Sequence, residues 1–140
     1  MIAIIRISGI VNRKEEIENT LNRLRLRRKY SCVVLDKTKE IMGMVEKVRS
    51  NVAYGEINEK TLEELVEKRA KPLSLINSKK IDTKKIVKEI LDKKTVESLE
   101  IKPFFRLHPP LKGINTKQHF PKGVLGDNKD KINNLILRML

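Results

Sequence analysis

Residues Lys102 to Gly126 read KPFFRLHPPLKGINTKQHFPKGVLG, and the chemistry open to them is the neutralisation of anions. The stretch carries Lys102, Arg106, Lys112, Lys117 and Lys122 and no Asp or Glu. It holds four of the five prolines, all three phenylalanines and three of the six glycines. Backbone this rich in Pro and Gly cannot run as one continuous helix. Cations without acidic partners draw anions from another molecule, and nucleic-acid phosphates are the obvious source. The basic residues alternate with Phe104, Phe105, His108, His119 and Phe120, and aromatics beside cations are what unstacked bases pack against. In an extended segment Phe104 and Phe105 point to opposite faces, so one is expected in the core, with Phe120 the better candidate for exposure. Pro109-Pro110 stiffens the segment, and Gly113, Gly123 and Gly126 are expected to let the backbone approach a partner.

A second basic group is Arg23, Arg25, Arg27, Arg28 and Lys29. Cations at a helix C-terminus complement its dipole, but that accounts for one or two charges, hardly five within seven residues. Arg also suits phosphate forks and base stacking. Other chemistries find little footing. His108 and His119 lie eleven residues apart with few acids nearby, so no metal site is expected. There is no phosphate-cradling P-loop and no nucleophile elbow, and Asp127 and Asp130 read as a helix cap and a first-turn acid. Cys32, the single cysteine, sits in CVVL and reads as a small core residue.

Composition agrees with a nucleic-acid partner. The chain has 140 residues and a net charge of +13. The charge is uneven: residues 1–57 carry 12 bases and 7 acids, 58–100 carry 11 and 9, and 101–140 carry 8 and 2. No apolar stretch approaches the roughly 20 residues that cross a bilayer. No signal peptide is read at the N-terminus, so the protein is expected in the cytoplasm.

The elements that must position these groups follow from apolar periodicity. Ile2–Ile7 reads as a strand. A helix is expected from Asn12, with Glu15 completing a capping box and Ile17, Leu21 and Leu24 as its stripe. Tyr30–Leu35 is the second strand. Thr38 caps a helix to about Lys47 that buries Ile41, Met44, Val45 and Val48 despite Gly43, and Val52–Ile57 is the third strand. Thr61 and Glu64 are expected to cap a helix ending near Arg69. Asp82 is expected to cap one bearing Ile86, Val87, Ile90 and Leu91. A last helix from Asp127 or Asn128 carries Ile132, Leu135, Ile136 and Met139. The reading is an α+β fold: a β-α-β-α-β core over 1–57 with a small, mainly antiparallel three-stranded sheet in a split, ferredoxin-like arrangement. A helical extension over 58–140 carries the basic 102–126 loop and a C-terminal helix docked on the core. Helices are expected on one sheet face. Arg6, which shares a strand face with Ile2, Ile4 and Ser8, is expected on the other, pointing to a partner or to the C-terminal half.

Several strings go further. IAIIRISG, TLNRLRL before CVVLD, GMVEKV, YGEI, LVEKRA, FFRLHPPLKG and KGVLGD together resemble archaeal-type members of the large-ribosomal-subunit protein family L-thirty, whose eukaryotic relative is L-seven. The resemblance runs almost end to end, with departures at Ala70 and Val124. It implies a structural protein that binds large-subunit ribosomal RNA near the 5S RNA as a monomer beside other ribosomal proteins, with no cofactor and no catalysis. Carried over by position, the RNA-facing residues are Arg6, Arg25, Arg28, Lys68, Arg69, Arg106, His108, Lys112, Gly113, Lys117, Lys122 and Gly123. The residues themselves add Arg23, Arg27, Lys29 and His119. The alternatives are an RNA-modifying or nucleotide-handling enzyme and a DNA-binding homodimer.

Overall fold

The computed structural model describes residues 1–9, 11, 14–72, 83–91, 101–114 and 116–140. Among them the order is β1 (Ile2–Arg6), α1 (Glu15–Arg23), β2 (Ser31–Leu35), α2 (Lys39–Lys47), β3 (Val52–Glu56), α3 (Glu59–Arg69), α4 (Thr83–Leu91), β4 (Phe105–Arg106), β5 (Gly126–Asp127) and α5 (Lys131–Leu137). The sheet runs β4-β2-β1-β3-β5. β1 pairs antiparallel with both β2 and β3, so the β2–α2–β3 unit is split by β1 between its strands. β4 joins β2 antiparallel, while β5 joins β3 parallel. The expectation of a three-stranded sheet is therefore corrected to five strands in a mixed sheet. The extra two come from the ends of the basic segment, and at two residues each they are too short to show a period.

Helix cover on one face is likewise corrected, because both faces are buried. Ile2, Ile4, Val33 and Val52 pack under α1 and α2 with Leu21, Leu24, Leu26, Val45 and Val48. Ala3, Ile5, Cys32, Val34 and Ala53 pack under the later helices with Leu62, Leu65, Val87, Ile90, Ile132, Leu135 and Ile136. Alternate strand side chains thus feed two cores, and all five residues of β1 are buried.

Helix starts differ from the sequence reading. α1 begins at Glu15, with Lys14 in the cap position and no side-chain cap, and Asn12 lies outside the described residues. Thr61 is buried inside α3, which begins after Asn58; with its face turned to the core it caps nothing. Asp82 is also outside the described residues. α5 begins at Lys131 because Asp127 forms a turn of its own, its Oδ1 accepting the Lys129 N–H at 2.9 Å. Thr38 does cap α2, its Oγ1 accepting the Ile41 N–H at 3.3 Å.

The C-terminal part is seated on β3. Gly55 lies where an added Cβ would collide with the Lys129 carbonyl oxygen, so this strand position has room only for a hydrogen. Asn133, buried on α5, donates to Glu56 O at 3.0 Å and Asp130 O at 2.9 Å, and its Oδ1 accepts the Asn58 N–H at 2.9 Å. One side chain thereby ties α5 to the end of β3 and the start of α3.

Candidate nucleic-acid interface

The Arg cluster is displayed by the way α1 ends. Leu26 N–H donates to Leu21 O at 2.8 Å and Arg25 N–H to Asn22 O at 3.0 Å, the paired bonds of a Schellman C-cap. Arg25 occupies the left-handed position, φ 61°, where Gly is usual. Leu24 and Leu26 anchor the turn in the core, so Arg23, Arg25, Arg27 and Arg28 are left outside, with Lys29 following. The Lys29 ammonium lies 4.6 Å from the Tyr30 ring centroid.

Arg6 holds this turn from beneath. It is fully buried, and its guanidinium donates to Glu18 Oε1 at 2.9 Å and Oε2 at 2.8 Å, Leu26 O at 2.9 Å, Arg27 O at 3.2 Å, Ser8 O at 3.0 Å and Gly9 O at 3.1 Å. The expectation that Arg6 faces a partner is corrected. Its strand face is covered by α1, and its donors are spent on one carboxylate and four carbonyl oxygens.

The opposing wall comes from the basic segment. β4 pairs Ser31 with Arg106 and Cys32 with Phe105. Strand alternation sends Phe105 into the core and Phe104 and Arg106 to the other side. The Arg106 guanidinium lies 5.5 Å from the Phe104 ring centroid, within cation–π range. Between the walls runs an open groove of about 650 Å³ lined by Asn22, Arg23, Arg25, Arg27, Arg28, Ser31, Lys102, Pro103, Phe104 and Arg106. Six cations and one aromatic line it, with no acid. The structure thus brings together two basic groups that are some 80 residues apart in sequence.

The remaining site residues lie elsewhere. Lys68 is exposed on α3 and paired with Glu64 at 3.4 Å. Arg69 is half-buried and donates to the main-chain oxygen of Leu140, a structural use that the helix-end position did not announce. His108 is exposed beside the end of α5, its N–H donating to Met139 O at 2.9 Å. His119 is exposed with Nε2 3.4 Å from Ser50 Oγ. Lys112, Gly113, Lys117 and Lys122 are exposed on the loop leading to β5, with Lys112 and Gly113 both at positive φ, 64° and 69°. Gly123 is required by its own loop, since an added Cβ would collide with the Gln118 main chain. Phe120 is half-buried under the Lys131 ammonium, 5.2 Å from its centroid, which corrects the expectation of an exposed ring.

Sequence reasoning missed Lys131 and Arg138. Arg138 clasps the loop by donating Nη2 to Leu111 O and Gly113 O, both at 2.7 Å. Lys131 had a signal: a cation in the first turn of a helix without an acid there opposes the helix dipole. A third depression, lined by Lys37, Glu56, Asp127, Lys129 and Asp130, mixes signs. There the Lys37–Glu56 hydrogen bond, 2.9 Å, pushes the ammonium above its usual range and holds the carboxyl below its own. Those charges satisfy each other. Among the described residues no cluster of His, Cys, Asp or Glu could hold a metal ion, and no helix is long and apolar enough to cross a membrane.

Residues 2–52 match the family model described as ribosomal protein L30p/L7e. The chain is 39% identical to the large ribosomal subunit protein uL30 of Archaeoglobus fulgidus, covering 99% of each. It is 40% identical to the protein of the same name from Nanoarchaeum equitans, over 99% of this chain and 97% of that one. The Pyrobaculum islandicum protein, again so named, is 39% identical over 99% of this chain and 93% of its own length.

Proposed function

The chain belongs to the ribosomal protein L30p/L7e family, and from that premise we propose that it is a structural constituent of the large ribosomal subunit, binding large-subunit rRNA through the groove between the Arg turn and β4. It is a structural component, not an enzyme. The observation that carries the binding site is the groove lining: six cations from two distant segments, a half-buried Phe104 and no acid. Cations of this kind neutralise phosphates and fix register, while a ring beside them accepts an unstacked base. The exposed His108, Lys112, Lys117, His119 and Lys122 extend the RNA-facing surface, and Lys29 borders it. We place the protein in the cytoplasm as a monomer within the ribosome, near the 5S RNA and beside other ribosomal proteins. Residues 58–140 serve as an extension that completes the 1–57 core and supplies one wall of the groove.

Binding to large-subunit rRNA fragments tests the proposal. Six phosphate contacts give a slope of log K against log salt of roughly −4 to −5, or about a thousandfold loss between 50 and 200 mM salt. Salt-insensitive binding would overturn the electrostatic reading. Co-sedimentation with large subunits through a moderate-salt gradient is the expected companion result. Equal affinity for duplex DNA would instead favour a DNA-binding protein.

A further inference from the structure

Cations line the groove between the Arg turn and β4, and a second groove of about 690 Å³ between the 112–124 loop and α5, with no acid in either. The depression where β2 and β3 end and β1 begins is of another kind. It is a cavity of about 350 Å³, near the lower end of the range of small-ligand sites and room for a long side chain. Met42 of α2 and Tyr54 of β3, both half-buried, give it an apolar wall. Asp127 and Asp130 line it as well. They are the only two acids among residues 101–140, against eight bases. The most basic part of the chain thus places both of its acids in one cavity.

Neither carboxylate is matched by a charge of the protein. Asp127 takes a single backbone N–H, that of Lys129, through Oδ1. Asp130 stands at the cap position of α5, yet its side chain makes no cap bond. Among the described residues neither has an ion-pair partner, and Lys37, a cation of the same lining, is held by Glu56 at 2.9 Å. Lys129, the other cation there, is exposed and paired with neither. Burial pushes the Tyr54 hydroxyl above its usual range, and Asp127 and Glu46 push it further against the pull of Arg49. An apolar wall that ends in unmatched carboxylates fits a side chain with an apolar stem and a cationic tip. Arg suits it best, because its planar guanidinium meets carboxylates as a fork and stacks on a Tyr ring. A phosphate there would meet charge of its own sign. We propose that this depression receives an arginine side chain from a basic segment of a neighbouring protein. The proposal rests on the placement of the chain beside other ribosomal proteins, given above.

The blocked tripeptide acetyl-Arg-Leu-Arg-amide, titrated at low salt into isotope-labelled protein and followed by NMR, tests it. Amide shifts are expected at Tyr54, Glu56, Asp127 and Lys129 and not at Arg25 or Arg27. The counterpart acetyl-Glu-Leu-Glu-amide is expected to shift the Arg turn instead. Asp127→Asn/Asp130→Asn keeps an oxygen for the Lys129 N–H and removes both charges. It should weaken the Arg peptide about tenfold, with RNA affinity no lower than the parent's. If the double variant melts early, Asp130→Asn alone, on an exposed side chain without a cap bond, should weaken the peptide about threefold. Absence of shifts in the depression, or peptide affinity unchanged in these variants, overturns the proposal. So does a shift of the same amides by an rRNA fragment, or a loss of RNA affinity in the double variant, since either puts RNA in the cavity. A parent that takes the peptide but no rRNA fragment overturns the RNA groove and leaves the arginine site standing.

Discussion

Replacing Arg6 separates a structural role for this residue from an RNA-facing one. Arg6→Met keeps comparable bulk on β1 and removes six hydrogen bonds at once. The carbonyl oxygens of Ser8, Gly9, Leu26 and Arg27 lose their guanidinium donor, and Glu18 loses its counter-charge. Breaking a buried pair from one side costs about 3–5 kcal/mol. The Glu18 side chain is 25% exposed and regains some water, so the lower half of that range, about 3–4 kcal/mol, is expected. At roughly 3–5 °C per kcal/mol for a chain of this size, the melting temperature falls by roughly 10–15 °C. Arg6→Lys keeps one charge without the planar fork and should lose about half as much. Urea unfolding supplies the stabilities. RNA titration at several salt concentrations, well below the melting point, supplies the slope of log K against log salt, which should match the parent's. A variant of unchanged stability whose slope drops by about one would show Arg6 on a phosphate and refute the reasoning.

Arg25→Gly should leave stability unchanged or raise it by up to about 1 kcal/mol, because Gly relieves the left-handed strain, while RNA affinity falls and the salt slope shrinks by about one. Chemical denaturation and RNA titration on the same sample check both halves. Gly55→Ala should cost about 3 kcal/mol by forcing Lys129 and α5 off β3, read as a lower urea midpoint. Burial pushes the Cys32 thiol from its ordinary 9.0 up to about 12. The unfolded chain therefore releases this proton first as pH rises. The contribution is full below about pH 9 and is lost as pH climbs towards about 12. Subtracting the pH profile of Cys32→Ala from that of the parent isolates it, and a flat difference would contradict the burial argument. A thiol reagent at neutral pH should leave native Cys32 untouched until the chain is unfolded.

Much of the fold was legible because apolar period and secondary structure agree over long stretches. The run Ile2–Ile7, the Thr38 cap and the Ile132, Leu135, Ile136, Met139 stripe each found its element. Parity along β1 sorted Arg6 onto the same side as Ile2 and Ile4, but parity cannot say whether a face is bare or covered. Here α1 and α2 cover it, so a charged residue in a strand became a buried brace. Helix starts were misread where Ser/Thr-type signals competed with tertiary position: Thr61 resembles a cap but faces the core. The two basic groups were visible as composition. Their meeting across one groove was not, because it depends on β4, a strand of two residues whose only sequence trace is the Phe104–Phe105 alternation. Arg138 left no trace at all, since its role is set by loop carbonyls some 25 residues away in sequence.

The outer strands have a consequence for how the molecule is made. β1, β2 and β3 are synthesised first, and until the later strands arrive the outer edges of β2 and β3 lack their backbone partners, the usual template for pairing with another copy. β4 and β5 come after residue 100, and each covers two residues of those edges, Ser31 and Cys32 of β2 and Ala53 and Tyr54 of β3. The segment that covers them also supplies Lys102, Phe104 and Arg106 to the basic groove. The step that shortens the open edges of the sheet is therefore the same step that completes the basic groove. On the reading proposed above, an RNA that needs both walls of the groove binds only chains whose outer strands are in place.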